Sequence, residues 1–254
     1  MPLKIAGNFR AHTRAALCVG ALLIAGCQTA PVGEEAAIQE SLYQAAQTAE
    51  QTFDYETAIN HYNKLAQQNP DSPQLQIALA RNLRYSGASQ KAVRVLESMG
   101  SAKDGNLGYT LELAKAKIGH GKAREAIDLL NAAAPENADN WEIYATLGIA
   151  HDLEEDFKSA LSAYQKARKL SGDNPAILNN MALSLALSGD VEGAISLLQS
   201  APRLARHSPQ IRQNLALFYG IKGDTTAAEA LARMDLDEES VQSNLSIYAQ
   251  LRKK

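Results

Sequence analysis

The stretch from Trp141 to Asn174, WEIYATLGIAHDLEEDFKSALSAYQKARKLSGDN, decides how the rest of the chain is read. Two apolar-periodic segments flank a polar turn at His151–Asp156, and the small residues Gly148 and Ala160 stand twelve places apart. Steps of 34 residues in either direction recover the same pair as Ala46/Ala58, Ala80/Ala92, Ala114/Ala126, Ala182/Ala194 and Ala216/Ala228, with no insertion. Four places after the second member come Tyr62, Leu96, Leu130, Tyr164, Leu198 and Ala232. A turn glycine recurs in phase at Gly87, Gly121, Gly189 and Gly223, and Phe53 and Glu155 hold the two remaining turn positions.

This spacing predicts two antiparallel helices per unit. Small residues facing each other across the pair let the helix axes approach closely. The Tyr or Leu four places on lies on the same face one turn later and fills the gap to the next unit. Pro70, Pro73, Pro175 and Pro209 fall at the joints, where proline suits a helix start. Asp71-Ser72-Pro73 and Asp173-Asn174-Pro175 supply capping residues.

The pattern resembles the tetratricopeptide repeat, with repeat four matching best through Leu147-Gly148, Ala160, Tyr164 and Ala167. The resemblance implies an all-α, right-handed superhelical solenoid of six helix-turn-helix units at 39–72, 73–106, 107–140, 141–174, 175–208 and 209–242. The sixth is degenerate at its end, where Asp235 replaces the expected small residue. Val241, Leu245, Tyr248 and Leu251 recur at helical spacing over 238–251, which predicts a capping helix overlapping that repeat.

Composition agrees with such a body. The chain has 254 residues, 46% hydrophobic and 6% aromatic, with a formal net charge of −3. That balance argues against nucleic acid as the main partner and against general disorder. The first 26 residues stand apart. Lys4, Arg10 and Arg14 precede an apolar run from Ala15 to Gly26, and no acidic residue occurs before Glu34. The run is too short to span a bilayer, which takes about 20 residues, but suits the core of a signal peptide. It ends in Leu23-Ile24-Ala25-Gly26-Cys27, which resembles a bacterial lipobox. The resemblance implies cleavage before Cys27, then palmitate-type acylation of Cys27 and its new amino group. Residues 27–38 become a lipidated tether whose eleven residues after the cysteine reach at most ~35–40 Å when extended.

Cys18 leaves with the signal, so the mature chain has no thiol available for a disulfide. Loss of three cations takes the formal net charge from −3 to −6, so membrane attachment rests on the acyl chains rather than on charge. Gln28 follows the cysteine where Asp commonly retains such lipoproteins at the inner membrane. By that resemblance the chain sits at the periplasmic face of the outer membrane of a Gram-negative bacterium.

Chemistry-bearing motifs are sparse. No His-Glu-x-x-His motif is present, and no two histidines stand at metal-ligand spacing on a helix. Gly121-Lys122 is followed by Ala123 rather than by the Ser or Thr of a phosphate loop. His151, Asp152, Glu154, Glu155 and Asp156 form the densest polar cluster, at the turn of repeat four, and read as a solvated turn. The sequence therefore reads as a non-enzyme with no cofactor or metal.

What remains is a binding surface. In the repeat family the first helices line a concave groove, and the resemblance places Tyr43, Gln47, Ile77, Arg81, Arg84, Leu111, Lys115, Ile149, Asn179, Leu183, Gln213 and Leu217 on it. The early part is cationic and aromatic, the later part apolar with amides. Leu183 and Leu217 are open to a second reading, packing against neighbouring helices. Such a groove suits a peptide or helix ligand.

A narrower resemblance lies in Asn179-Asn180-Met181-Ala182-Leu183-Ser184-Leu185-Ala186-Leu187-Ser188-Gly189-Asp190 and Arg212-Gln213-Asn214-Leu215-Ala216-Leu217, with Asp235-Leu236, Asn244 and Tyr248. These resemble the last repeats of the TadD family, lipoproteins of the tight adherence (Flp pilus) secretion system. The resemblance implies a pilotin-like assembly factor that binds the outer-membrane secretin or another pilus component. The alternative is a periplasmic envelope adaptor recruiting peptidoglycan hydrolases or a protease.

Overall fold

The computed structural model describes residues 32–99, 105–202 and 208–252, so the signal segment, Cys27 and residues 28–31 lie outside the described residues. The chain divides into two compact units, Met1–Ile38 and Gln39–Lys254. In the first, the described residues from Val32 onward are helical. The helix from Val32 shortens the reach of that part of the expected tether, because helix rises only about 1.5 Å per residue where an extended chain rises about 3.3 Å.

Every described element is a helix: α1 (Val32–Gln51), α2 (Tyr55–Gln68), α3 (Pro73–Tyr85), α4 (Ser89–Glu97), α5 (Leu107–Gly119), α6 (Ala123–Ala133), α7 (Trp141–Leu153), α8 (Phe157–Ser171), α9 (Pro175–Leu187), α10 (Val191–Ser200), α11 (Pro209–Lys222), α12 (Thr225–Ala232) and α13 (Glu238–Leu251). From α3 to α11 the odd-numbered helices begin at Pro73, Leu107, Trp141, Pro175 and Pro209, one every 34 residues.

Local chemistry sets these boundaries. Pro73, Pro175 and Pro209 occupy the first helical turn, where a missing N–H costs nothing. Asn106, Asn140 and Asn174 cap α5, α7 and α9 by accepting backbone N–H bonds. Asp54, Asp156, Asp190 and Asp224 do the same for α2, α8, α10 and α12, and Asp237 for α13. Ser72 departs from the sequence expectation. It stands at the N-cap of α3 but its hydroxyl makes no capping bond.

All six in-phase turn positions have positive φ, including the two without glycine: Phe53 at 62° and Glu155 at 59°. The left-handed residue ends the first helix and aims the second back along it.

The core is a chain of linked clusters. Each alanine of the six anchor pairs is fully buried. Gly148 is buried too, and a Cβ there would lie 2.4 Å from the Tyr164 ring, so glycine lets that ring seat directly on the helix backbone. Within the second unit each odd helix from α3 onward packs on the next odd helix, whereas the even helices make no comparable contacts with one another. The odd helices thus form the crowded inner side of the stack. At its end α13 buries Val241 and Tyr248 against α11 and α12, while Ser243, Ser246, Ile247 and Gln250 on another of its faces are exposed.

Candidate protein-binding groove

The inner face is set by helical geometry. Residues four apart share one side of a helix, so 43, 47 and 51 on α1 recur as 77, 81, 85 on α3 and onward every 34 residues to 213, 217, 221 on α11.

Its N-terminal half is aromatic and charged, but the charges are matched. Arg81 lies 3.5 Å from Glu50 and 3.9 Å from Glu112. Arg84 reaches both oxygens of the buried Glu112 carboxylate, Nε at 2.6 Å and Nη2 at 3.3 Å, and its guanidinium sits 4.3 Å from the Tyr85 ring centroid. Lys115 donates to Glu142 at 3.1 Å. The expected cationic stretch is therefore corrected to a set of ion pairs linking successive repeats. Tyr43 is partly exposed with its ring 6.2 Å from Tyr62, and Gln47 is exposed beside it.

Three expected groove residues are in the core instead. Ile77 and Leu111 are each 8% exposed, and Asn179 is 2% exposed. Asn179 accepts a short amide bond from Asn214, pairing α9 with α11, so it is spent on holding repeats together. Gln213 donates to Asp235 at 3.2 Å, and its buried Oε1 has no partner among the described residues. Ile149, Leu183 and Leu217 are half-buried, each touching the core on one side. Both readings of Leu183 and Leu217 thus have a share.

The polar cluster of repeat four resolves into two parts. Asp152 accepts from Tyr164 Oη at 2.8 Å through one carboxylate oxygen and from Ser184 Oγ at 2.6 Å through the other. Burial pushes its pKa up, against the lowering effect of those hydrogen bonds. Ser184 is fully buried, so its hydroxyl is committed to this inter-repeat link. Asp156, with its pKa lowered by hydrogen bonds from Ser159, caps α8 and lies 3.7 Å from His151. Repeat one repeats the arrangement 102 residues earlier. There Tyr62 donates to Glu50 at 3.1 Å, and Phe53 occupies the same left-handed turn position as Glu155.

Asp235, which breaks the repeat pattern, has a structural role: it accepts from Arg212 and Gln213 and ties α11 to the segment before α13. Among the described residues no group of three or more His, Cys, Asp or Glu side chains is placed to hold a metal ion, and no described helix is long and apolar enough to cross a membrane.

Sequence reasoning missed the outermost position of the groove. Tyr85, Leu153 and Leu187 are 50%, 57% and 64% exposed and stand four residues after Arg81, Ile149 and Leu183. The signal was present in the same helical periodicity that picked out their neighbours.

The family profile described as the tetratricopeptide repeat protein 21 C-terminal ARM domain matches residues 23–216. No curated protein matches the sequence. Among solved structures, TTC0263, a thermophilic TPR protein of Thermus thermophilus, is similar over 71% of this chain and 98% of its own, at 18% identity and a TM-score of 0.64. The Cut9-Hcn1 hetero-tetramer of the APC/C matches 87% of this chain and 42% of the neighbour chain, at 16% identity and 0.63. MamA of Desulfovibrio magneticus RS-1 matches 63% of this chain and 91% of its own, at 17% and 0.52. At these identities the likeness is one of fold: a tetratricopeptide-type helical solenoid.

Proposed function

Because the chain belongs to the family of the tetratricopeptide repeat protein 21 C-terminal ARM domain, we propose that it is a lipid-anchored scaffold whose inner groove holds a segment of a protein partner. The observation that carries this reading is the exposed apolar and aromatic surface on the odd helices. Contiguous exposed apolar surface on a folded array marks an interaction site. The neighbouring Cut9 structure is itself an assembly with Hcn1, which supports a partner-holding role for such arrays.

The finer reading is a pilotin-like assembly factor resembling TadD, bound through Cys27 to the periplasmic face of the outer membrane and holding the secretin or another pilus component. Its support lies in the lipobox Leu23–Cys27 and in the tail motifs from Asn179 and Arg212. Tethering raises the effective concentration of the partner, so modest affinity in the groove suffices.

Cys27→Ser tests this. The variant is expected to leave the membrane fraction, to keep its helical circular dichroism spectrum, and to abolish pilus assembly. Full restoration of assembly by the non-acylated chain would show that the tether is irrelevant.

A further inference from the structure

From α7 onward the inner face changes character. Ile149 and Leu153 on α7, Leu183 and Leu187 on α9, and Leu217 and Ile221 on α11 are aliphatic pairs four residues apart, repeated every 34. Leu153 and Leu187 are mostly exposed and the other four half-buried, so the pairs form one strip across three adjacent helices. All six positions are aliphatic, where the equivalent places of the N-terminal half include the ion-paired Arg81 and Lys115.

One border of the strip is acidic. Leu153, Leu187 and Ile221 each lead directly into a helix–helix turn, and those turns carry Glu155, Asp156, Asp190 and Asp224, all exposed. The three aspartates cap α8, α10 and α12 and keep their carboxylates at the surface. The nearby cations are Arg124 and Lys222, held by Glu154 at 2.5 Å and Glu192 at 2.7 Å, with Lys158 on α8 and Arg252 against Gly223, four against the six acids Glu154, Glu155, Asp156, Asp190, Glu192 and Asp224.

We propose that this strip docks an amphipathic α-helix of the protein partner, its apolar stripe on the six aliphatic side chains and a basic flank along the acidic turns. The assignment deepens the scaffold reading and rests on it. Charge complementarity selects the flank: lysines or arginines there meet carboxylates, and a like-charged flank is repelled. Spacing favours a helix. Packed helices lie about 8–10 Å apart, and a helix returns to the same face after seven residues, about 10.5 Å. An extended strand returns after about 6.8 Å and falls out of step with the pairs.

Fluorescence anisotropy with the full chain tests this, using a labelled amphipathic leucine–lysine peptide of about 20 residues, long enough to cross three helices. The expected result is saturable binding that gains helicity by circular dichroism and weakens as salt rises. Binding is expected to fall at least tenfold for a sequence-permuted peptide of the same composition, for one with glutamates in place of lysines, and in the Leu187→Glu protein. Leu187 is exposed, so that variant keeps the fold. Glu155→Lys is expected to weaken the lysine peptide and strengthen the glutamate one. Equal binding of the permuted peptide, or indifference to Leu187→Glu, overturns the site. If the peptide fails while crosslinking in membranes still places a protein on Tyr43 or Gln47, the helix site is wrong and the scaffold stands. If no protein crosslinks to the groove at all, the scaffold reading falls with it.

Discussion

Phe53 is the residue where local preference and global fold disagree most openly. A bulky side chain at φ 62° is a backbone outlier, and with 76% of its surface exposed it recovers little by burial. Glycine holds the equivalent position in four other repeats without that penalty. Phe53→Gly is therefore expected to stabilise the fold by about 1 kcal/mol in urea unfolding. Charged residues give a second test. Glu125 accepts from Lys117 at 2.6 Å and lies 2.8 Å from Lys122, which together hold its pKa at about 2. A carboxylate depressed in the folded state adds stability above its ordinary value of 4.5, and that share is lost as pH falls toward 2. Asp152 has the opposite sign, because its raised pKa favours the fold at low pH and loses that share as pH rises. Glu125→Gln is expected to flatten the acid limb of a stability–pH curve, and Asp152→Asn to steepen it.

At the scale of elements, the helices were legible because one rule repeats. The small-residue pairs, the in-phase turns and the prolines fix where α3 to α11 begin and turn, and a 3.6-residue period needs nothing further. The groove was legible only in part. Helical phase gives direction but not depth, so Ile77, Leu111 and Asn179 point inward yet are covered by adjoining repeats. Nor does phase show pairing. Arg81, Arg84 and Lys115 read as a cationic patch until the acids that meet them, 31, 28 and 27 residues away, are placed. The last described helix, α13, is the element whose loss is most telling. Truncation after Asp237 uncovers the faces that Val241 and Tyr248 bury; at ~1.5–3 kcal/mol for each side chain this removes several kcal/mol. Amide exchange in α11 and α12 is expected to accelerate well before that in α3 to α6.

Across the whole molecule, stability is distributed. Each repeat touches mainly its neighbours, so the array behaves as a one-dimensional chain of units and local damage stays local. The inner face combines links between repeats with exposed surface, and the sequence uses its two halves differently: ion pairs and aromatics from α1 to α5, aliphatic pairs beside acidic turns from α7 to α11. The account stands on that face being occupied by another protein. The direct measurement is crosslinking of the protein in the cells that make it, with the linked residues mapped by mass spectrometry. We expect adducts to one partner protein concentrated on the odd helices, around Leu153 and Leu187. Adducts confined to the even helices, or none at all, would contradict it.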